Sequence, residues 1–250
     1  MKEDFSLAYY LLEREHWWFL ARKEILRDQL RKLFDGVKTL KILNVGAAWG
    51  ASTIMLQEFG EVTSLEYNKI CCDYVKQELG IDCVQGNITA LPFEDNFFDL
   101  VCAFDVVEHV QDDRLAISEL HRVCKRGGYT FTTVPTFNFM WSEHDVINEH
   151  KRRYTKKSYL KLFSDTDCSV MYRSYFNFWL FFPVATFRVL SSFFKRNRAE
   201  AVAQSDNLKI NKGWLSFILH QIFRSETLLL RRGMVFPVGV SLMVISNKNP

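Results

Sequence analysis

The sequence predicts an α/β fold: one doubly wound, mostly parallel sheet of seven strands with helices on both faces. Three observations carry that expectation. Short aliphatic runs recur about every twenty residues through the first half of the chain, segments of helical spacing fill the gaps, and those segments end on glycine. Strand, helix, strand at that interval means βαβ units, and right-handed crossovers force parallel pairing.

The elements follow in order. An amphipathic helical arm, one helix or a pair, is expected over residues 5–34, with Phe5, Tyr9, Leu12, Trp17, Phe19, Leu20, Ile25, Leu30 and Leu33 as apolar positions. Strands are expected at residues 41–45, 61–66, 81–85 and 98–104, with helices at 52–59, 69–79 and 112–125. The last helix has an Asp start, puts Ile117, Leu120 and Val123 on one face and stops at Gly127-Gly128. A fifth strand over 129–134 ends at Pro135, and 169–176 and 239–247 supply the remaining two. Some sixty residues between those two read as helical, including 214–230, with a polar linker at 197–211. The chain is therefore expected to be a single domain. It comprises an N-terminal arm (1–37), a core (38–175), a helical insertion or lid before the last strand (176–237), and a final strand and tail (238–250).

Composition excludes several classes. Of 250 residues 48% are apolar and 24% charged, which rules out a disordered or fibrous chain. Thirty-two basic against 29 acidic residues leave +3, too weak a field for nucleic acid as a partner. Six cysteines without a CxxC spacing read as reduced, buried thiols. The charged start, Met1-Lys2-Glu3-Asp4, lacks the apolar run of a signal peptide, so a cytoplasmic protein is expected. Residues 174–187 are strongly apolar, but fourteen uncharged residues between Arg173 and Arg188 are too few to span a bilayer. A buried helix or a segment at the membrane surface remains.

The chemistry begins at Asn44-Val45-Gly46-Ala47-Ala48-Trp49-Gly50-Ala51, a strand entering a glycine-containing turn that opens a helix and presents free N–H groups. Twenty residues after Gly46, at the end of the second strand, Glu66 can accept hydrogen bonds from both hydroxyls of a ribose. Turn and acid together point to an adenosine-containing ligand. They leave open whether it is a nicotinamide dinucleotide in an oxidoreductase or another adenosine cofactor.

Two further segments carry a resemblance: Gly86-Asn87-Ile88-Thr89-Ala90-Leu91-Pro92-Phe93, and Phe98-Asp99-Leu100-Val101 running to Phe104-Asp105-Val106-Val107-Glu108-His109. With the turn, Glu66 and Gly127-Gly128 they resemble the class I S-adenosylmethionine (SAM) methyltransferases, in the small-molecule type 11/12 group, over residues 40–135. Glu15-His16-Trp17-Trp18-Phe19 with Arg22, and Trp141-Ser142-Glu143-His144-Asp145 with His150, Arg152, Arg153 and Tyr154, are similar to a bacterial-type subgroup. The resemblance implies a Rossmann-like fold, SAM as cofactor and S-adenosylhomocysteine (SAH) as product.

Position by position, it implies that Asn44, Gly46, Ala48 and Gly50 form the turn beside the methionine part of SAM, with Glu66 on the ribose and Tyr67 next to it. Asn87 would read the adenine amino group and Ile88 pack on the ring. Phe104, Asp105 and His109 would line the methionine side, and Arg22 would pair with the SAM carboxylate. The chain departs from the pattern at Asn44 and Asn87, where the family has acids, at Ala48, where it has glycine, and at Trp49 in a loop that is normally small. A SAM-binding protein with little or no turnover is the alternative these departures keep open.

Methyl transfer from a sulfonium needs alignment and exclusion of water, with a general base only for a protonated nucleophile. His144 and His150, just after the fifth strand, are the candidate bases. His144, Asp145 and His150 also have metal-ligand identities, but no tight ligand motif joins them and no metal is expected. Arg152 and Arg153 could clamp an anionic acceptor group, with Tyr154 beside them. Eleven of the 22 Phe residues crowd into 131–194, and together with Trp17, Trp18, Trp141 and Trp179 these aromatics exceed what the sheet core can house. The arm and the insertion are therefore expected to meet over the carboxyl edge as a lid on an apolar or lipid-linked small-molecule acceptor. Arg188, Lys195, Arg196 and Arg198 are expected to hold peripheral membrane contact.

Overall fold

The computed structural model describes residues 10–194 and 213–249; Phe5, Tyr9, Lys195, Arg196, Arg198 and the 197–211 linker lie outside the described residues. The arm is a helix pair. Residues 10–15 are helical, the helix breaks at His16, and α1 (Trp17–Leu33) follows with the His16 ring accepting from the Trp18 N–H. Its apolar face buries Ala21, Ile25, Leu26 and Leu30.

The sheet holds seven strands: β1 (Leu40–Val45), β2 (Gly60–Glu66), β3 (Cys83–Gln85), β4 (Phe98–Phe104), β5 (Cys124–Pro135), β6 (Cys168–Phe176) and β7 (Ser241–Lys248). Their order is β3-β2-β1-β4-β5-β7-β6, parallel through β5, with β7 antiparallel to both its neighbours. The helices α2 (Ala51–Leu56), α3 (Lys69–Gln77) and α4 (Asp113–Val123) connect the parallel strands. After β5 come α5 (Glu143–Ile147) and α6 (Lys156–Leu160), and after β6 come α7 (Phe181–Phe194) and α8 (Trp214–Arg231). The chain runs outward from β1 to β2 and β3, then returns to place β4 on the other side of β1. This reversal opens a crevice at the carboxyl ends of β1 and β4, where doubly wound folds bind ligands.

Three boundaries differ from the sequence expectation. The third strand is confined to Cys83–Gln85. The fifth begins at Cys124, directly after α4, so Gly127-Gly128 lies inside it. A Cβ on Gly128 would stand 2.9 Å from the Asp99 carbonyl oxygen, so this glycine permits close strand approach as well as a turn. The last strand is displaced to Ser241–Lys248; Gly239 precedes it because a Cβ there would meet the Phe176 carbonyl oxygen at 2.4 Å.

Aliphatic β1 and β4 residues, Ile42, Leu43, Leu100 and Val101, form the core centre at no more than 0% exposure. His121 of α4 ties that layer to the far strands, its Nε2 lying 3.1 Å from Thr130 Oγ1 and 3.0 Å from Ser246 Oγ. The arm packs along α8: Trp18 meets Phe223 at 6.3 Å between ring centroids, and Glu24 pairs with Arg224. Among the described residues no helix is long and apolar enough to cross a membrane. All six cysteines are free thiols, five of them buried.

Candidate active site

A cavity of about 1180 Å³ opens at the carboxyl edge of β1, β2 and β4, bounded by the β1 turn, the arm, α5 with the loop after it, and α7. Its size suits a cofactor and an acceptor together.

The β1 turn is shaped by left-handed backbone at Gly46 (φ 76°), Ala48 (φ 45°) and Gly50 (φ 86°). A Cβ on Gly46 would stand 2.4 Å from Val106 Cγ2, so glycine there has both a conformational and a steric cause. Ala48 accepts the same backbone region at a cost on the order of 1 kcal/mol. Its N–H donates to Glu66 Oε2 at 2.8 Å, and the Asn68 N–H donates to Oε1 at 2.8 Å. Burial raises the Glu66 carboxyl above its ordinary value, while the backbone amides of Asn68, Ala48 and Tyr67 pull it down. Each Glu66 oxygen retains a lone pair for a ribose hydroxyl.

Gly46, Ala48, Glu66, exposed Tyr67, Asn87, Ile88, Phe104, Asp105 and His109 all line the cavity, as do Arg22, Trp17 and Trp18 of the arm. Asp105, at φ 58° where β4 ends, accepts from Thr133 Oγ1 at 2.9 Å and pairs with Arg22 Nη2 at 2.7 Å. The Arg22 guanidinium thus has a carboxylate partner already, but its buried Nε has no hydrogen-bond partner. The Glu66 carboxylate and this Arg22 edge fit a bound SAM; the turn's N–H groups, expected to be free, are instead engaged within the protein, those of Gly46 and Ala47 by the Leu65 carbonyl and that of Ala48 by Glu66.

Asn44 and Gly50 do not line the cavity. Asn44 is fully buried, its amide donating to Ser52 Oγ and Thr53 Oγ1 at 2.9 and 2.8 Å, so it holds α2 to β1. A Cβ on Gly50 would meet Leu79 Cδ1 at 2.3 Å, which makes its role one of packing. Trp49 turns away from the turn's centre, edge-on to Tyr10 and Tyr74 at 5.9 and 5.2 Å.

The acceptor end is regrouped. His144 and His150 line the cavity, with His144 Nε2 3.0 Å from Asn148 Nδ2 and His150 Nδ1 2.9 Å from Asp145 Oδ1. Burial lowers the His144 ring to about 4. Arg153, expected as an anion clamp, instead forms a buried two-point pair with Asp145 at 2.7 and 3.0 Å and donates to the Thr136 carbonyl. Burial alone would raise Asp145, but the His150 and Arg153 hydrogen bonds outweigh it and hold the carboxyl well below its usual range. Arg152 is likewise engaged, by Asp113 and the Val110 and Gln111 carbonyls, and Tyr154 donates to Asp113. Arg152, Tyr154, Trp141 and Trp179 stand outside the cavity lining. Trp179 packs on Phe178 and Phe236. Arg188, expected to face lipid, turns into the cavity and donates to the Met140 carbonyl, where burial lowers it to about 10.

Two cavity residues had no assigned role from sequence. Glu13 is nine-tenths buried, faces the Trp49 and Ala51 amides, and is raised by burial to about 7, with Oε2 unpartnered. Glu108 is fully buried, with neither carboxylate oxygen hydrogen-bonded. Only its adjacency to His109 in the Glu-His pair signalled it.

Residues 43–132 match the methyltransferase domain family. A demethylmenaquinone methyltransferase of Staphylococcus aureus is 31% identical over 136 residues, 48% of this chain and 54% of that protein. A Mycolicibacterium smegmatis protein named as an S-adenosylmethionine-dependent methyltransferase is 30% identical over 125 residues, 50% of this chain and 48% of that protein. The chain spans about half the length of these curated relatives. Among solved structures, a geranyl diphosphate C-methyltransferase of Streptomyces coelicolor superposes with a TM-score of 0.56 at 13% identity, covering 89% of this chain and 78% of that one. A [4+2]-cyclase gives 0.58 at 14% identity, covering 90% and 80%. The shared architecture thus hosts more than one chemistry, and these likenesses establish the fold alone. With that sheet order and a family match running from β1 into β5, residues 43–132 of this chain are similar to the methyltransferase domain, on the sheet of the class I S-adenosylmethionine-dependent methyltransferases.

Proposed function

We propose that the protein transfers the methyl group of SAM to an apolar small-molecule or lipid-linked acceptor. The supporting observation is a single cavity whose lining combines Glu66 and Asn87, suited to the nucleoside, with Trp17, Trp18, His144 and His150, suited to the acceptor. Bound SAM supplies an electrophilic methyl on a sulfonium whose positive charge is lost as the methyl moves.

The chain's own groups do the positioning. Glu66 accepts from the ribose hydroxyls, the Asn87 carbonyl oxygen accepts from the adenine amino group, and Ile88 packs on the ring. Arg22 takes the amino-acid carboxylate on the edge that Asp105 leaves uncovered. The aromatic walls exclude water from the displacement. Asp145 fixes the tautomer of His150, leaving Nε2 to accept a proton from a hydroxyl acceptor.

Two relatives are named for isoprenoid acceptors, demethylmenaquinone and geranyl diphosphate, which accords with an apolar acceptor here. Exposed Phe182 and Phe187 on α7 and Phe217 on α8 suit contact with a membrane surface that stores such molecules. The test is incubation of the protein with SAM and a panel of quinols, prenyl diphosphates and polar controls, following SAH. SAH formed with an apolar member supports the reading. SAM binding without SAH from any member leaves a binding protein without turnover.

A further inference from the structure

We propose that Glu108, His109 and His150 form a binding site for a divalent transition metal of the zinc class, open toward the acceptor end of the cavity. The three residues reach one point from two loops. Glu108 and His109 lie in the short turn after β4, and His150 follows α5; the Lys151 N–H donates to the Glu108 carbonyl at 2.8 Å and joins the loops. One candidate ligand atom from each lies within 4.8 Å of the others. All three residues line the cavity.

Glu108 is the decisive member. Its side chain is fully buried and neither oxygen has a hydrogen-bond partner; the nearest cationic candidate, His150 Nε2, is 4.0 Å from Oε1. An unpartnered carboxylate is a costly thing to bury unless a cation meets it. The imidazoles are prepared to help. Asp145 Oδ1 holds His150 Nδ1 at 2.9 Å, the carboxylate–histidine arrangement that leaves Nε2 as the ligating atom. The His109 and His150 rings meet edge-on at 4.7 Å between centroids.

The donor set selects the metal. Two imidazole nitrogens and one carboxylate oxygen suit zinc and its first-row neighbours, whereas magnesium and calcium prefer oxygen throughout. Bonds of roughly 2.1 Å at tetrahedral angles space ligand atoms about 3.4 Å apart, so side-chain rotations that bring them up to about 1.4 Å closer close the set. Three protein ligands leave a coordination position facing the cavity.

The use of the site rests on the methyl-transfer reading. With the metal bound, His150 Nε2 is a ligand and does not take the proton: an acceptor hydroxyl or phenol bound at the open position would release its proton to water near neutral pH, as metal-bound water does. Its oxygen pair then forms the new C–O bond as the C–S bond breaks and sulfur keeps the bonding pair. The acceptor class is thereby narrowed to oxygen nucleophiles.

The experiment is calorimetric and spectroscopic titration of EDTA-treated full-length protein with zinc, cobalt(II) and magnesium chlorides, in wild type and in E108Q, H109A and H150A, with H220A as control. Expected are one zinc or cobalt per chain, a visible cobalt ligand-field band, at least tenfold weaker binding in each of the three variants, unchanged binding in H220A and none of magnesium. Circular dichroism and SAH titration establish that each variant is folded. Absence of stoichiometric zinc or cobalt binding overturns the site, and so does equal binding by E108Q. Loss of SAH affinity in E108Q without any metal effect overturns it too, and assigns Glu108 to the cofactor. SAH formation by metal-free protein would overturn the metal's role while leaving methyl transfer standing; metal binding with no SAH affinity would do the reverse.

Discussion

Ala48 donates its N–H to Glu66 Oε2 at 2.8 Å from a backbone φ of 45°, so the side chain proposed to hold the ribose also holds the turn beneath it. Glycine at position 48 would relieve the left-handed strain while adding freedom to the unfolded chain, two effects of similar size near 1 kcal/mol. Ala48→Gly is therefore expected to change stability by less than about 1 kcal/mol and to leave SAH affinity equal or tighter. Calorimetric titration checks this; a tenfold loss of affinity would mean that the alanine methyl itself packs on the cofactor.

Glu66→Ala removes both the ribose acceptor and the anchor of the turn. SAH binding should weaken by roughly 1.5 to 3 kcal/mol, the scale of charge-assisted hydrogen bonds. Wild-type protein should show no comparable affinity for NAD. An unchanged SAH affinity in the variant would remove Glu66 from the cofactor site.

Arg153 and Asp145 form a desolvated pair, Asp145 being fully buried. Arg153→Met should destabilise the fold by about 3 to 5 kcal/mol, because it strands the buried carboxylate. Arg153→Lys should rescue little, since an ammonium cannot make the two-point contact and also reach the Thr136 carbonyl. Urea unfolding separates this from an acceptor clamp, whose loss would leave the midpoint in place.

Glu226 of α8 accepts from the backbone amides of Asn177, Phe178 and Trp179 at 2.7, 2.7 and 3.1 Å. Burial nonetheless raises its carboxyl to about 7 from an ordinary 4.5, the three hydrogen bonds offsetting only part. The folded chain thus binds this proton more tightly than the unfolded one. Stability from this group is complete below pH 4.5 and is lost as pH rises through 7, by at most about 3 kcal/mol. Urea midpoints measured from pH 5 to pH 8 should fall in wild type and fall less steeply in Glu226→Gln, where Glu13, also raised by burial to about 7, keeps part of the slope.

The strands were legible because buried parallel strands are aliphatic on both faces, and Phe98–Phe104 reads as it folds. The slot of β7 between β5 and β6 was not, since strand order depends on pairings 100 residues and more apart, such as Phe131 with Ile245. In the site, Gly46 and Glu66 carry local signatures of turn and strand end. Arg152 and Arg153 misled for the opposite reason: adjacent cations in sequence look like an anion clamp, yet the fold brings Asp113 and Asp145 to them separately. Glu13 has no such signature, because its partners Trp49 and Ala51 belong to a different element.

The placement of β7 also sets an order of events during synthesis. β6 pairs with β7 and with no other named strand, and Val240 and Ser241, at the head of β7, line the cavity. While the ribosome is still making α7 and α8, a nascent chain can assemble β1 to β5 and the turn that faces the nucleoside. It has nowhere to dock β6 until residues 241–248 emerge. The cofactor half of the cavity is thus available before the acceptor half closes, and a SAM molecule captured early would meet open water where the acceptor wall will later stand.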